Sequence, residues 1–174
     1  MALDAARRAG RAARIEGYLN NNMENFHISL ESPQCGFMAL SVTGGEASVR
    51  YGAAHQPFDS LGDLLRGVTA LLQGQAALTI QWNAEPEQYD WHLRHDSGQV
   101  ALQIIYYPDQ RRAAEEAREV FAYSLPLTEL ARDLESETRE LQERAERDVF
   151  PGNWRREFPA TELAQLAAAL QGER

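Results

Sequence analysis

The chain has 174 residues, which suits one domain, and its 44% hydrophobic content with three Trp argues against a disordered chain. Its net charge of -9 disfavours nucleic acid and anionic membranes as partners and favours a basic protein partner. All 17 basic residues are Arg, a bias typical of a GC-rich bacterial genome. We therefore expect a bacterial protein that binds neither nucleic acid nor membrane.

The N-terminal region is rich in Ala and Arg over residues 2–18 and predicts a helix with Arg7, Arg11 and Arg14 on one face. This face is either a basic arm for a partner or a solvated helix surface, and we favour the second interpretation. Within a single domain over residues 1–174, we expect residues 1–20 to form a loosely packed helix.

The sequence gives no sign of export from the cytoplasm. The single Cys35 cannot form an intrachain disulfide, and no apolar run approaches the length that spans a bilayer. Residues 2–14 lack the apolar segment of a signal peptide. We therefore expect a cytoplasmic protein.

Alternating apolar and polar residues predict a three-stranded meander in the first part of the chain. Phe26, Ile28 and Leu30 mark the first strand, and Gly44-Gly45 mark the turn between the next two. This turn would place apolar residues opposite each other in three pairs, namely Met38 with Tyr51, Leu40 with Val49, and Val42 with Ala47.

A helix follows over residues 59–73, with leucines at helical spacing that should cover a sheet face. Ser60 and Asp63 have the spacing of a capping box, and Gly74 suits the end of the helix. Glycine inside the helix, at positions 62 and 67, lowers its intrinsic stability, so packing must hold it together.

The stretch 76–107 predicts three further antiparallel strands. A two-residue turn at Ser97-Gly98 places Trp91 opposite Ile104 and Leu93 opposite Leu102, so that the apolar side chains share one face. The other face is mostly polar. It carries Thr79, Gln81, Asp90, His92, Arg94, Gln103, Ile105 and Tyr107.

The C-terminal third predicts a last strand over 119–124 and a helix over 126–148 with a narrow leucine stripe. The stripe fits a two-stranded coiled coil or a helix packed on the body, and we favour the latter. A final helix over 160–170 follows a loop whose aromatic residues should be docked. The fold class is therefore α+β, with an antiparallel sheet of about six strands, a central amphipathic helix and two C-terminal helices.

No catalytic residue, metal site or cofactor is predicted. His92 and His95 lie three apart on a strand, so they point to opposite faces and cannot share a metal. The sequence lacks the glycine-rich phosphate-binding patterns. Cys35 could use His27 or His55 as a base, but a packed or idle thiol is the favoured interpretation.

Two groups of residues are candidates for binding. Asp90, His92 and Arg94 form a row on one strand face, which is a charged binding surface, an acid/base pair or, as we favour, a solvated sheet face. The helix over 126–148 carries an excess of acidic residues. Among them, we predict that Glu135, Glu140 and Glu143 form the surface that attracts a basic partner electrostatically.

The stretch 82–94 (WNAEPEQYDWHLR), the strand end Tyr106-Tyr107-Pro108 and the segment 154–159 (WRREFP) resemble uncharacterised bacterial proteins of the immunity-protein type. The order of helices and strands also resembles type III secretion chaperones. Both resemblances imply a non-enzymatic protein that binds a protein partner. The alternative is a small-ligand-binding protein or an enzyme with a site near Asp90, His92 and Arg94.

Overall fold

The computed structural model describes residues 26–145 and 147–172, so the predicted helix within residues 1–20 lies outside the described part. The described chain is α+β. Its strands are β1 (Phe26–Leu30), β2 (Phe37–Gly44), β3 (Ala47–Ala54), β4 (Ala77–Asn83), β5 (Gln88–Asp96), β6 (Gln99–Tyr107) and β7 (Arg118–Pro126). Its helices are α1 (Ser60–Leu72), the 3-10 turn Ala114–Glu116, α2 (Leu127–Ala145), α3 (Phe150–Trp154) and α4 (Ala160–Gly172).

The strands form two antiparallel sheets, β1-β2-β3 and β4-β5-β6-β7. The prediction of one sheet of about six strands was therefore wrong in this respect. α1 separates β3 from β4 in the chain, and β3 touches both edge strands of the second sheet without forming a ladder with either. β3 thus crosses the second sheet. Apolar alternation identifies a buried face but does not say which sheet that face belongs to.

The register of the second sheet follows the prediction, because Trp91 opposes Ile104 and Leu93 opposes Leu102. The register of the first hairpin was wrong by two residues. Gly44 pairs with Ala47, so the turn is Gly45-Glu46, with Gly45 at the positive φ of +60°. A shift of two residues leaves every side chain on the same face, and the apolar pattern alone could not choose between the two registers.

The leucine stripe of α1 is buried as predicted, but the capping box is not formed. Asp59 occupies the N-cap position without a side-chain cap bond, and Ser60 is the first helical residue. The Ser60 hydroxyl instead donates to the carbonyl of Gln81, at 2.6 Å. The start of α1 is thereby tied to the edge of β4.

The two sheets meet at a cluster of aromatic side chains. The Trp91 indole N–H donates to the Tyr51 hydroxyl at 2.8 Å, and the Tyr51 ring stacks on Tyr89 with centroids 3.9 Å apart. Burial raises the pKa of Tyr51 well above its ordinary value. Trp82 is also fully buried, but its indole N–H has no acceptor among the described residues.

This difference predicts unequal effects of two similar substitutions. Trp91→Phe and Trp82→Phe both remove indole volume, but only Trp91→Phe leaves the buried Tyr51 hydroxyl without its donor. We expect Trp91→Phe to lower the free energy of unfolding by about 1–3 kcal/mol more than Trp82→Phe does. Urea unfolding of the two variants measures the difference, and equal losses would mean that the bond contributes nothing.

α2 packs along the free edge of β1, which agrees with a helix packed on the body. The N–H of Ile28 donates to Asp133 and the N–H of Leu30 donates to Glu137, each at 2.7 Å. Arg144 donates to the carbonyl of Leu30 at 2.7 Å. Side chains of a helix therefore satisfy backbone groups of an edge strand that would otherwise be open to another chain.

His27 adds a pH-dependent contact to this edge. Its ring Nδ1 lies 3.0 Å from Asp133, and the hydrogen bond to that carboxylate raises the pKa of His27. The contact therefore contributes its full stability below pH 6.5, which is about the pKa of His27 in the unfolded chain. The contribution is lost as the pH rises through the pKa of His27 in the folded protein.

We expect His27→Asn to lower the free energy of unfolding at about pH 5 and to leave it unchanged at about pH 9. Because the ring is half exposed, solvent screening limits the loss to a few tenths of a kcal/mol, about the size of a surface ion pair. Thermal melts of both proteins across this pH range provide the measurement. A loss that is the same at every pH would contradict the assigned contact.

The C-terminal aromatic residues are docked as predicted. Phe150 and Trp154 of α3 are buried, and Leu163 and Leu166 of α4 pack with them in the core. Phe158 is partly buried and lies edge-on to Phe150, with ring centroids 5.3 Å apart. α4 contacts both α1 and α2, so the last helix belongs to the body of the domain.

Candidate functional site

The candidate site is the outer face of the second sheet, opposite the aromatic core. Period-2 alternation places the predicted row of Asp90, His92 and Arg94 on this face of β5. Arg112, from the loop between β6 and β7, reaches Asp90 on this face, whereas His92 and Arg94 farther along β5 are accessible to solvent. The row is therefore divided between a covered part and an exposed part.

Asp90 lies in the covered part and is only 5% exposed. Its two carboxylate oxygens accept hydrogen bonds from Nε of Arg112, at 3.0 and 3.2 Å. The Arg112 guanidinium also lies over the Phe58 ring, 5.5 Å from its centroid. The carboxylate is engaged in an internal ion pair, so it is not placed to act as an acid or base toward a substrate.

The ion pair continues into a chain of hydrogen bonds between three loops. Arg112 donates to Gln88 at 3.0 Å, Gln88 donates to Asn83 at 2.6 Å, and Asn83 donates to the carbonyl of Gln56 at 2.6 Å. Gln88 and Asn83 are buried. A satisfied buried network of this kind fixes the loops relative to the sheet.

His92 and Arg94 lie in the exposed part. The His92 Nδ1 is 2.9 Å from the Thr79 hydroxyl, and Arg94 makes no ion pair with the described residues. Gln103 beside them donates to Glu119 of β7. The sheet thus brings His92 and Arg94 together on one surface, but it separates them from the carboxylate of Asp90 by enclosing Asp90 under Arg112.

Two hollows flank this exposed row, with volumes of about 520 and 430 Å³. Both are open to solvent, and they share His92, Arg94 and Gln103. The small side chains of Ala101, Ala122 and Ser124 form much of the second hollow. The surface offers a positive charge and several hydrogen-bonding groups, but it does not enclose a ligand as a buried pocket does.

The predicted acidic surface on α2 is smaller in the structure than in the sequence. Glu140 and Glu143 are exposed, but Arg144 lies 4.0 Å from Glu140, and Glu135 is bonded by Arg139 one turn away. Asp133 and Glu137 are used to bind β1. The sequence indicates that Glu137 has a structural role, because Glu137 falls on the apolar stripe of its helix, where a buried carboxylate needs a partner.

Among the described residues, no hydrogen bond joins Cys35 to His27 or His55, the two bases considered for it. Cys35 is exposed in a turn, His27 is bound to Asp133, and the His55 ring lies 3.3 Å from the carbonyl of Gly36. Within residues 26–145 and 147–172, no three His, Cys, Asp or Glu side chains are grouped closely enough to hold a metal ion.

Comparisons of the chain with protein-family models, with curated proteins and with solved structures found no match. Among the helices of the described part, none combines the length and the apolar character needed to cross a membrane.

Proposed function

We propose that this chain is a non-enzymatic protein that binds a basic protein partner, in the manner of an immunity protein or a chaperone. The observation that supports the proposal is the state of the charged groups on the outer sheet face. Asp90 is neutralised internally by Arg112, and the remaining polar groups lie on an open surface. Open polar surfaces of this kind suit a macromolecular partner better than a small substrate.

The charge of the partner follows from the charge of the chain. The net charge is -9, and Glu140 and Glu143 project from α2 into solvent. Exposed charges of this kind raise the rate of encounter with an oppositely charged protein and are screened by salt beyond about 10 Å at 0.1 M. Glu135 contributes to the same surface, although Arg139 offsets its charge.

A small polar ligand is the second candidate, and the 520 Å³ hollow beside Arg94 is the observation that favours it. Its volume is within the range of ligand sites. The chemistry of Arg94, His92 and Thr79 would suit an anionic ligand. Loss of a copurified small anion in Arg94→Ala, with protein binding unchanged, would support this candidate.

The leading proposal is tested by reversing the acidic surface of α2. We expect the triple substitution of Glu135, Glu140 and Glu143 by Arg to slow association with a copurified basic partner and to weaken the salt dependence of the association rate. The fold should persist, because Glu140 and Glu143 are exposed and the partly buried pair of Glu135 with the half-exposed Arg139 is a surface ion pair worth about 0–1 kcal/mol. Stopped-flow association measures the effect.

The matched control reverses Glu87, Asp96 and Glu157, which changes the net charge equally at positions away from α2. A rate that falls equally in both triple variants would show a general charge effect and no binding surface on α2. A rate that is unchanged in the α2 variant would place the binding surface elsewhere.

A further inference from the structure

The edge of β7 is open. Leu127, directly after β7, donates its N–H to the carbonyl of Gly98 at 2.9 Å. Because hydrogen-bonded pairs alternate along an antiparallel ladder, Ala122 and Ser124 must direct their N–H and C=O groups away from β6. No residue of the described chain bonds to these groups. They form a row of backbone donors and acceptors that is available to another strand.

Side chains bond to backbone groups of two other edges, at N–H groups of β1 and in part on β4. The edge of β1 is bonded by Asp133, Glu137 and Arg144 of α2. On β4, the carbonyl of Gln81 accepts from Ser60, and the carbonyl of Ala77 accepts from Gln75 at 2.9 Å. β4 is also contacted by α1, whereas no side-chain bond within the described chain reaches the backbone of Ala122 or Ser124.

The edge of β3 is a further alternative. By the same alternation, Ser48, Arg50 and Gly52 direct their backbone groups outward. β3 contains no carboxylate, and its one charged residue, Arg50, pairs across β2 with Glu31 at 2.5 Å. β3 itself therefore offers less attraction to basic side chains than β7, which carries Glu119.

The side chains along β7 leave room for an added strand. Ala122 and Ser124 are small and exposed, and Val120 is 36% exposed. The row ends at Pro126, which has no N–H to donate. On the other side the ladder shifts register at Val120, so the regular part of the acceptor edge is the stretch 121–125.

The charges around this edge are mainly acidic. Glu115 and Glu116 are exposed immediately before β7, Glu119 lies on the strand, and Glu129 follows in the first turn of α2. The basic residues are Arg118 on the strand and Arg94, which lines the same hollow as Ala122 and Ser124. An added strand that carries Lys or Arg would meet opposite charge at both ends.

We propose that β7 accepts an extended, basic segment of the protein partner as a fifth strand of the second sheet. Backbone hydrogen bonds to Ala122 and Ser124 supply affinity, and the surrounding carboxylates select basic side chains. The inference rests on the proposed function, because it gives the mode by which the basic partner binds.

The test uses the full chain and a blocked eight-residue peptide of alternating Val and Arg, with the matched Val and Glu peptide as control. At saturating Val and Arg peptide, we expect amide hydrogen exchange at Ala122 and Ser124 to slow by about tenfold or more. Ser48 and Gly52 on the β3 edge should be unchanged. The Glu peptide should have no effect.

Two variants separate strand addition from adhesion by charge. Ala122→Pro removes an N–H that the fold does not use, so it should abolish peptide protection and preserve the melting temperature. Should that variant fail to fold, the double reversal of Glu115 and Glu116 to Arg decides, and it should weaken binding of the Arg peptide.

Three results would overturn strand addition. These are slow exchange at Ala122 and Ser124 in the free protein, peptide protection located elsewhere, and equal protection by both peptides. The first would mean that another part of the chain or a second copy already occupies the edge. If a basic partner binds and protects α2 but leaves Ala122 and Ser124 unprotected, the proposed function survives and the strand-addition mode fails.

Discussion

Ending the chain after Asp148 should leave a protein that does not hold its fold. The truncation removes Phe150, Trp154, Leu163 and Leu166, whose side chains are buried in the core shared with α1 and α2. Burial of one large apolar side chain contributes roughly 2 kcal/mol, so the combined loss approaches the 5–15 kcal/mol that is typical of a whole domain. Circular dichroism should show a lost or strongly lowered thermal transition.

The control for this truncation ends after residue 170, which removes the exposed Gln171 and Gly172 with the two residues that follow, and keeps the buried residues of α4. This shorter deletion should retain a melting temperature close to that of the full chain. If the chain ending at Asp148 melts at the same temperature as the full chain, α3 and α4 are appendages and the described core is incorrect.

Arg112→Ala should be the most damaging single change on the outer sheet face. It leaves the Asp90 carboxylate buried without its partner, and removal of one member of a buried ion pair costs about 3–5 kcal/mol. The substitution also removes the contact of Arg112 with the Phe58 ring and a donor to Gln88. Urea unfolding measures the loss of stability.

Arg111 provides a neighbouring control. It pairs with Asp109 in the same loop, but this pair is exposed, so Arg111→Ala should leave the unfolding midpoint unchanged. Substituting both members, Asp90→Val with Arg112→Met, should recover much of the stability lost in Arg112→Ala, because no buried charge is then left unpaired. A stable Arg112→Ala protein would instead return Asp90 to the candidates for chemistry.

Local patterns predicted most of the individual elements. The alternation in 76–107 and the Ser97-Gly98 turn fixed the register of β5 and β6, because a slip of one residue would turn Trp91 and Leu93 outward. The leucine spacing predicted α1 and α4, because burial of one helix face requires a periodic apolar stripe.

Contacts between distant segments were not predictable in this way. Arg112 reaches Asp90 from a loop 22 residues away, and Asp133 binds the backbone of Ile28 across 105 residues. Charged residues have no periodic signature that identifies their partners. The same absence explains why one sheet was predicted where two exist, because strand faces alone do not reveal which edges pair.

Native mass spectrometry of the full chain, isolated without a tag from its own cells, tests the central claim most directly. The account predicts a complex with a basic protein that dissociates as the salt concentration rises. A chain that carries only a bound small molecule, released by Arg94→Ala, would contradict the protein-binding function and place the activity in the hollow beside His92 and Arg94.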